Sequence, residues 1–170
     1  MTSIQYLKGI GPKRAKLLAD AGIRNIEDAF YYFPRRYQDR SHFTSIAQLE
    51  IGAVATVKVE VLSVNARRSF RKGGFNLFEI SCRDETGCIF AVWFNQPYLR
   101  NYFKPGKKCI LYGKVELYKD RVQLSNPEFE FIDEGDEGTG SGKIIPVYPL
   151  PKGFSQRGIR KMIASILDKH

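Results

Sequence analysis

The sequence predicts a mainly β domain with flanking helices, and three observations lead to this fold class. Small or apolar residues recur at every second position over 53–61, a period typical of a half-buried strand. Strand-like runs follow at 75–82, 88–94, 108–118 and 122–132. A short helix at 96–103 separates the third run from the fourth. This order is that of an oligonucleotide/oligosaccharide-binding (OB) fold, a five-stranded Greek-key barrel, here predicted at 51–132.

Turn signals support the strand assignments. The run Asp84-Glu85-Thr86-Gly87 is typical of a hairpin between the second and third strands. Lys119-Asp120 is placed to turn the chain between the last two strands, and Pro97 suits the first turn of the short helix. The stretch 66–74 is predicted to be the loop between the first two strands.

The first fifty residues are predicted to form a helical N-terminal segment. Pro12 suits the first position of a helix, and Gly22 suits the position just past its end. Asn25 and Asp28 resemble a capping pair. They open a second helix that is expected to run through Phe33, before the following proline.

The C-terminal part is predicted to be a connector followed by a helix. Residues 133–154 combine a flexible acidic, glycine-rich loop with a proline-rich extended stretch at 144–151. Ser155 can cap a C-terminal helix over 155–170. The apolar stripe of that helix is predicted to be a packing surface, formed by Ile159, Met162, Ile163, Ile166 and Leu167.

The charge indicates a polyanionic partner, with nucleic acid as the first candidate. The 170 residues carry a net charge of +9 and a pI near 9.5. The decapeptide 133–142 contributes four acidic groups and no basic group, so the rest of the chain stands at +13.

Several chemistries are excluded by composition. Cys82, Cys88 and Cys109 lack metal-ligand spacing and are predicted to be reduced thiols in the core, so neither a metal nor a catalytic group is expected. The run Gly140-Ser141-Gly142-Lys143 resembles the end of a phosphate loop, but Ile144 stands where Ser or Thr is required, so no ATP site is expected. The chain also lacks a run of about 20 apolar residues and a signal peptide, which predicts a soluble intracellular protein with no membrane partner.

The loop at 66–74 is the first candidate binding element. Arg67, Arg68, Arg71 and Lys72 are predicted to contact phosphates, and Phe70 could stack on a base. The alternative is a solvated hairpin tip whose charge cluster is incidental.

An aromatic cluster at 93–98 is the second candidate. Strand alternation places Trp93 and Phe94 on opposite faces, so both cannot enter the core. Whichever side chain is outside lies near Tyr98, and the two rings would form a base-stacking platform. The alternative is that both rings pack under the neighbouring loop.

A third candidate is the turn Gly9-Ile10-Gly11, which resembles a helix-hairpin-helix motif. Its glycines would let a phosphate approach the N-terminus of the helix, beside Lys13 and Arg14. The alternative is a glycine-rich turn between packed helices.

These pieces together resemble the N-terminal wedge region of RecG-type ATP-dependent DNA helicases of bacteria. The matching segments run in order along nearly the whole chain, at 9–12, 32–40, 93–98, 113–115, 126–129, 145–150 and 155–157. The resemblance implies an OB-fold wedge that splits the duplex at a junction, with Phe94 and Tyr98 stacking on the orphaned bases.

The resemblance also implies the partners and the setting. They are branched DNA, meaning forks, three- and four-way junctions and recombination intermediates, and the protein's own motor domains. ATP and Mg²⁺ are expected to be bound by the motor, which would begin where this chain ends, so this part would be no enzyme by itself. The expected location is the bacterial cytoplasm, in association with the nucleoid.

Alternative functions remain open at this point. The chain could be a helix-hairpin-helix and OB module of a DNA ligase or an RNA-processing factor, or an OB domain that binds a protein. Arg35, Arg36 and Arg40 either touch DNA or brace the helical start against the barrel; we favour bracing, because aromatic residues interleave them.

Overall fold

The computed structural model describes residues 2–39, 42–68, 73–132 and 144–169. The α-helices are α1 Pro12–Asp20, α2 Ile26–Phe30 and α3 Gln156–Leu167, and 3-10 helices lie at Ile4–Tyr6, Ile46–Gln48 and Pro97–Asn101. The strands are β1 Arg36–Asp39, β2 Val54–Arg68, β3 Asn76–Arg83, β4 Cys88–Phe94, β5 Lys108–Tyr118, β6 Arg121–Ser125, β7 Glu128–Phe131 and β8 Ile144–Val147. No helix in these described ranges is both long and apolar enough to cross a membrane.

The polypeptide divides into two compact units, and the first joins residues 1–40 to residues 142–170. It contains the three α-helices and an antiparallel pair of strands, β1 with β8. Its core is built mainly from aliphatic side chains, including those of Ile4, Leu18, Ile23, Ile159, Met162 and Ile166. The helical start and the tail helix, distant in sequence, therefore share one core. The bounds of the four segments predicted from the sequence, at 1–50, 51–132, 133–154 and 155–170, stay predictions.

Local signals in the first unit act as predicted. Pro12 opens α1, and Gly22 follows its end with a φ of +89°. Asn25 Oδ1 accepts from the backbone N–H of Asp28 at 2.8 Å, and the Asp28 carboxylate accepts from the Asn25 N–H at 3.2 Å. Ser155 caps α3 by accepting from the Gly158 N–H at 3.1 Å.

Two expectations for these helices are wrong. The second helix ends at Phe30 rather than Phe33, because a residue that precedes proline is disfavoured in helical conformation and the chain must straighten before it enters β1. Leu167 does not join the buried stripe of α3 and is exposed. It follows Ile159 by eight residues, which turns it about 80° away around the helix axis.

The second unit, residues 41–141, is a closed barrel. Its strand order is β2-β3-β4-β6-β5-β7, and β2 also pairs with β5, which closes the sheet. All pairings are antiparallel except that of β4 with β6. The short 3-10 helix lies between the third and fourth barrel strands, so the predicted OB topology with flanking helices is confirmed.

Two barrel strands differ from their predicted bounds. The first continues to Arg68 instead of ending at residue 61, because a bulge between Val61 and Ser63 bends it and lets it keep pairing with β3. The last predicted strand, 122–132, is split at Asn126-Pro127 into β6 and β7. Asn126 has a left-handed φ of +47°, and a proline has no N–H to donate to a ladder.

The barrel interior is packed with aliphatic and aromatic side chains. Trp93, Phe78 and Phe103 are the largest of its fully buried side chains among the described residues, and their ring centroids lie 5.1 to 5.8 Å apart. Cys82 and Cys109 are buried there as predicted, and burial raises the pKa of the Cys82 thiol to about 12. Cys88 is exposed, contrary to the prediction, because it begins β4 on the opposite face from Ile89.

The predicted 84–87 hairpin also holds the 3-10 helix Ile46–Gln48, which precedes β2, in place by hydrogen bonds. The Asp84 carboxylate accepts from the backbone N–H of Ile46 at 2.8 Å, and from both the N–H and the hydroxyl of Thr86. Partial burial opposes ionisation of Asp84, but these hydrogen bonds and one from the Gly87 N–H outweigh it and lower the pKa of Asp84 below its ordinary 3.8. The ionised form is therefore favoured in the folded state.

We expect Asp84→Asn to lower the free energy of unfolding at pH 7 by about 1–2 kcal/mol, because charge-assisted hydrogen bonds are lost. The lowered pKa contributes stability that is present above pH 3.8 and is lost as pH falls through the lower folded-state value. Urea unfolding of both proteins between pH 3 and pH 7 measures this, and the gap should narrow on acidification. Glu85→Gln, at the exposed neighbouring position, is the control; an equal loss there would contradict the assignment.

Candidate nucleic-acid interface

The end of β4 decides which aromatic ring faces outward. Trp93 is 2% exposed and donates its indole N–H to the Pro127 carbonyl at 2.9 Å. Phe94, the last residue of the strand, is 39% exposed on the opposite face. The sequence left this choice open, and the structure assigns the core to Trp93 and the surface to Phe94.

Two asparagines hold the chain where it leaves β4. Asn95 has a left-handed φ of +56°, and it exchanges hydrogen bonds with Asn76 on the adjacent strand. Asn126 Oδ1 accepts from the Phe94 N–H at 3.1 Å, while the Asn126 N–H donates to Val92. Asparagine tolerates the left-handed region better than most residues, so this turn is stable with a side chain present.

Tyr98 lies four residues beyond Phe94, in the 3-10 helix that follows the turn. Its ring is about half exposed, and its hydroxyl donates to the Gln96 side chain at 3.1 Å. We call Phe94 and Tyr98 the aromatic platform. Both rings are thus accessible, as base stacking requires, and the alternative that the rings pack under a loop is wrong for this pair.

Each platform ring has an exposed aromatic neighbour that the sequence analysis missed. Phe75 meets Phe94 edge-on, with centroids 5.8 Å apart, and Tyr102 meets Tyr98 in the same way at 6.5 Å. The spacing of Tyr98 and Tyr102 by one helical turn was an available signal. The position of Phe75 depends on strand pairing and had no local signal.

The predicted basic loop is only partly a loop. Arg67 and Arg68 lie on β2, whose extension past the bulge carries them beyond the predicted strand end. Arg67 pairs in register with Leu77, which pairs in turn with Phe94, so the three residues form one row across the sheet. The Arg67 side chain is 63% exposed. Phe70, Arg71 and Lys72 lie outside the described residues.

The glycine turn before α1 has the backbone conformation expected of it. Gly9 has a φ of +91°, a value that favours glycine, and its carbonyl accepts from the Arg14 guanidinium at 3.1 Å. Lys13 and Arg14 are both exposed in the first turn of α1. They belong to the first unit, whereas the aromatic platform belongs to the second. Arg36 begins β1 opposite Val147, and Arg40 lies outside the described residues.

The outer face of β3, β4 and β6 carries a polar cluster that sequence reasoning also missed. Glu79 is 7% exposed and binds the Arg121 guanidinium, with Oε2 and Nη2 2.6 Å apart. That guanidinium lies 4.0 Å from the centroid of the Phe90 ring. The signal was a single acidic residue between the apolar positions 78 and 80, but its partner is 42 residues away. No group of three or more metal-ligating side chains occurs within the described ranges.

The strand order and the exposed aromatic and basic groups define an OB-fold domain of the nucleic-acid-binding type. A family model described as the RecG wedge domain matches residues 3–169. The chain therefore belongs to the RecG wedge domain family.

Relatives agree with this assignment. The chain is 33% identical over 165 residues to the ATP-dependent DNA helicase RecG of Thermotoga maritima, and the match covers 95% of this chain and 20% of that protein. It is 30% identical over 168 residues to RecG of Escherichia coli, covering 97% and 23%. A solved structure of RecG bound to a three-way DNA junction superposes with a TM-score of 0.65 at 30% identity, over 96% of this chain and 22% of that one. The chain thus spans about a fifth of the length of these relatives.

We expect Asn126→Ala to lower the free energy of unfolding by about 1–2 kcal/mol, because alanine is strained at a φ of +47° and the acceptor for the Phe94 N–H is lost. Unfolding can be followed by the fluorescence of Trp93, the single tryptophan, whose indole bonds to the adjacent Pro127. Asn126→Gly keeps the conformation and loses only the side-chain bond, so its loss should be smaller. Equal losses would show that the left-handed conformation is unimportant.

Proposed function

We propose that this chain is the DNA-junction-binding wedge of an ATP-dependent helicase that remodels stalled replication forks and branched recombination intermediates. The observation that carries the proposal is the exposed aromatic platform, held on a hydrogen-bonded turn in a member of the RecG wedge family. A solved relative of 30% identity is described as RecG bound to a three-way DNA junction.

The platform lowers the cost of separating a base pair. A base at the branch point loses its stacking neighbour when the duplex parts, and a protein ring can replace that neighbour, worth about 1–3 kcal/mol per base. The replacement is effective because the platform backbone is fixed by Asn95 and Asn126 before DNA arrives, so little ordering entropy opposes binding.

Basic side chains supply the sequence-independent part of binding. Arg67 lies on β2 in the row that leads to Phe94, where it can hold a phosphate beside a stacked base. Arg68 is the last residue of β2, opposite Asn76, and can hold a phosphate in the next row. Arg71, Lys72 and the stacking residue Phe70 would continue this contact, and Lys13 and Arg14 would bind the backbone at the glycine turn.

Directional unwinding requires a motor outside this chain. We assign ATP and Mg²⁺ binding to the remaining four-fifths of the full-length relatives, and no catalysis to this domain. In this proposal the domain's partners are branched DNA and the motor domains, and its location is the bacterial cytoplasm with the nucleoid.

The double variant Phe94→Ala/Tyr98→Ala tests the platform. We expect it to weaken binding to a three-way DNA junction by about tenfold or more and to leave binding to plain duplex nearly unchanged, because only the junction presents unstacked bases. Fluorescence anisotropy with labelled DNA of both forms measures the two affinities. Tyr31→Ala removes a tyrosine of the first unit that is more exposed than either platform ring, and it is the control.

An equal loss on junction and duplex would contradict the wedge assignment. Tighter binding to RNA than to a DNA junction would favour a module of an RNA-processing enzyme. Binding that does not weaken between 50 and 200 mM salt would favour a protein partner.

Neutralising Arg67 and Arg68 tests the phosphate contacts. We expect Arg67→Gln/Arg68→Gln to reduce the slope of log K against log salt for duplex DNA by up to about 1.8, because each phosphate contact contributes about 0.9. Titrations at four salt concentrations give the slope. Lys161→Gln/Lys169→Gln removes two exposed charges from α3 and its end as a control, and a similar change there would mean that only net charge matters.

A further inference from the structure

The outer face of β3, β4 and β6 is the surface on which barrels of this class commonly carry single strands. In such barrels the second and third strands present cations to phosphates and aromatic rings to bases. Here β3 and β4 are the second and third barrel strands. Their outward positions include Glu79 and Phe90, since the core side is occupied by Phe78, Ile80 and Ala91.

On this face the aromatic ring is already covered. Arg121 reaches from β6 across the neighbouring strand, and its guanidinium carbon lies 4.0 Å from the Phe90 centroid. A guanidinium at that distance over a ring occupies the place where a base would stack. Phe90 is therefore not offered to a nucleotide in this arrangement.

The cation on this face is also committed. Arg121 Nη2 lies 2.6 Å from Glu79 Oε2 and also donates to Gln123 at 3.2 Å. The Glu79 side chain is only 9% exposed, and pairing with a close cation is what makes a buried carboxylate tolerable. Arg67 lies farther away, 3.8 Å from the other oxygen of Glu79, and remains largely exposed.

A second carboxylate strengthens the negative character of the face. Glu116 accepts from the Ser125 hydroxyl at 2.6 Å, and Ser125 also accepts from the Gln123 amide at 3.2 Å. The exposed Arg67 lies in the row of Phe94, whereas Phe90 pairs with Ser81. Near Phe90 the arginine is Arg121, which is already paired, so two carboxylates and no free cation among the residues named mark this stretch of the face. A phosphate backbone laid along it would meet carboxylates rather than guanidinium groups.

We infer that Glu79 is a specificity-determining residue: by holding Arg121 over Phe90, it closes the sheet face to single-stranded DNA and directs nucleic acid to the aromatic platform. The inference rests on the proposed function, because it concerns which DNA the domain takes. Discrimination between junction and single-stranded DNA then depends on two surfaces: the aromatic platform, which binds DNA, and the sheet face at Glu79, which repels it.

The test compares single-strand binding by the 170-residue chain and its variants, with a labelled oligo(dT) of 20 nucleotides as the probe. Glu79→Gln keeps the size and hydrogen-bonding capacity of the side chain but removes its charge. We expect about tenfold tighter binding to the oligonucleotide, since Arg121 gains a phosphate and Phe90 a base. The slope of log K against log salt should steepen by about 0.7. Binding to a fully paired three-way junction should change less than twofold.

Three further variants complete the experiment. Glu79→Gln/Arg121→Gln should lose the gain, because the released cation is absent. Arg121→Gln alone should leave the salt slope of the wild type unchanged, because Arg121 does not contact DNA while it is paired. Glu116→Gln, which removes the carboxylate bonded to Ser125 rather than to an arginine, should give a smaller gain than Glu79→Gln.

Each outcome bears on the inference. Unchanged or weaker oligo(dT) binding by Glu79→Gln overturns it, as does a shallower slope for Arg121→Gln, which would show Arg121 already on a phosphate. Thermal unfolding checks that each variant folds. If Glu79→Gln does not fold, the slope of log K against log salt for Arg121→Gln is the measurement that tests the inference. Failure of the wild type to prefer the junction would count against the proposed function, whereas an intact preference with no gain for Glu79→Gln counts against this inference alone.

Discussion

The burial of Trp93 is the constraint on which the candidate interface depends. Its indole packs against Phe78 and Phe103 and donates to the Pro127 carbonyl. The end of β4 therefore cannot rotate without removing the Trp93 side chain from the barrel core. Because side chains alternate along a strand, a buried Trp93 requires an outward Phe94. The exposed ring is thus held in place by the stability of the core, and a surface aromatic without such an anchor would lose rotamer and backbone freedom on binding DNA.

The barrel surface has one region with exposed aromatic and basic groups and another in which these groups are covered or paired. At the end of β4, aromatic rings are exposed and a row of residues leads to Arg67. Farther along the same strand, Phe90 is covered by Arg121, and Arg121 is neutralised by Glu79. An arginine and an aromatic ring are therefore exposed to solvent at the end of β4, where Arg67 and Phe94 lie. Near Phe90, an arginine and a ring contact each other instead. Within the proposed function, this division is the physical basis for a preference for a branch point over an extended single strand.

Much of the fold could be predicted because its signals are local. The capping pair Asn25/Asp28, the cap at Ser155 and the turn at Lys119-Asp120 each involve neighbours in the chain, and the structure confirms all three. The errors arose where tertiary pairing overrides local pattern. A bulge extended β2 past residue 61, the Asn126-Pro127 break divided the last strand, and Cys88 and Leu167 proved to be exposed.

The sequence by itself determined the order of strands, the alternation that separates Trp93 from Phe94 and the surplus of positive charge, since these follow from spacing and composition. It also carried the family resemblance, through motifs in order along the chain. Only the tertiary structure decided which of the two rings enters the core, which loop arginines lie on a strand and which carboxylate meets Arg121. The physical reason is that these choices depend on barrel closure and register, which bring residues as distant as Glu79 and Arg121 within hydrogen-bonding distance.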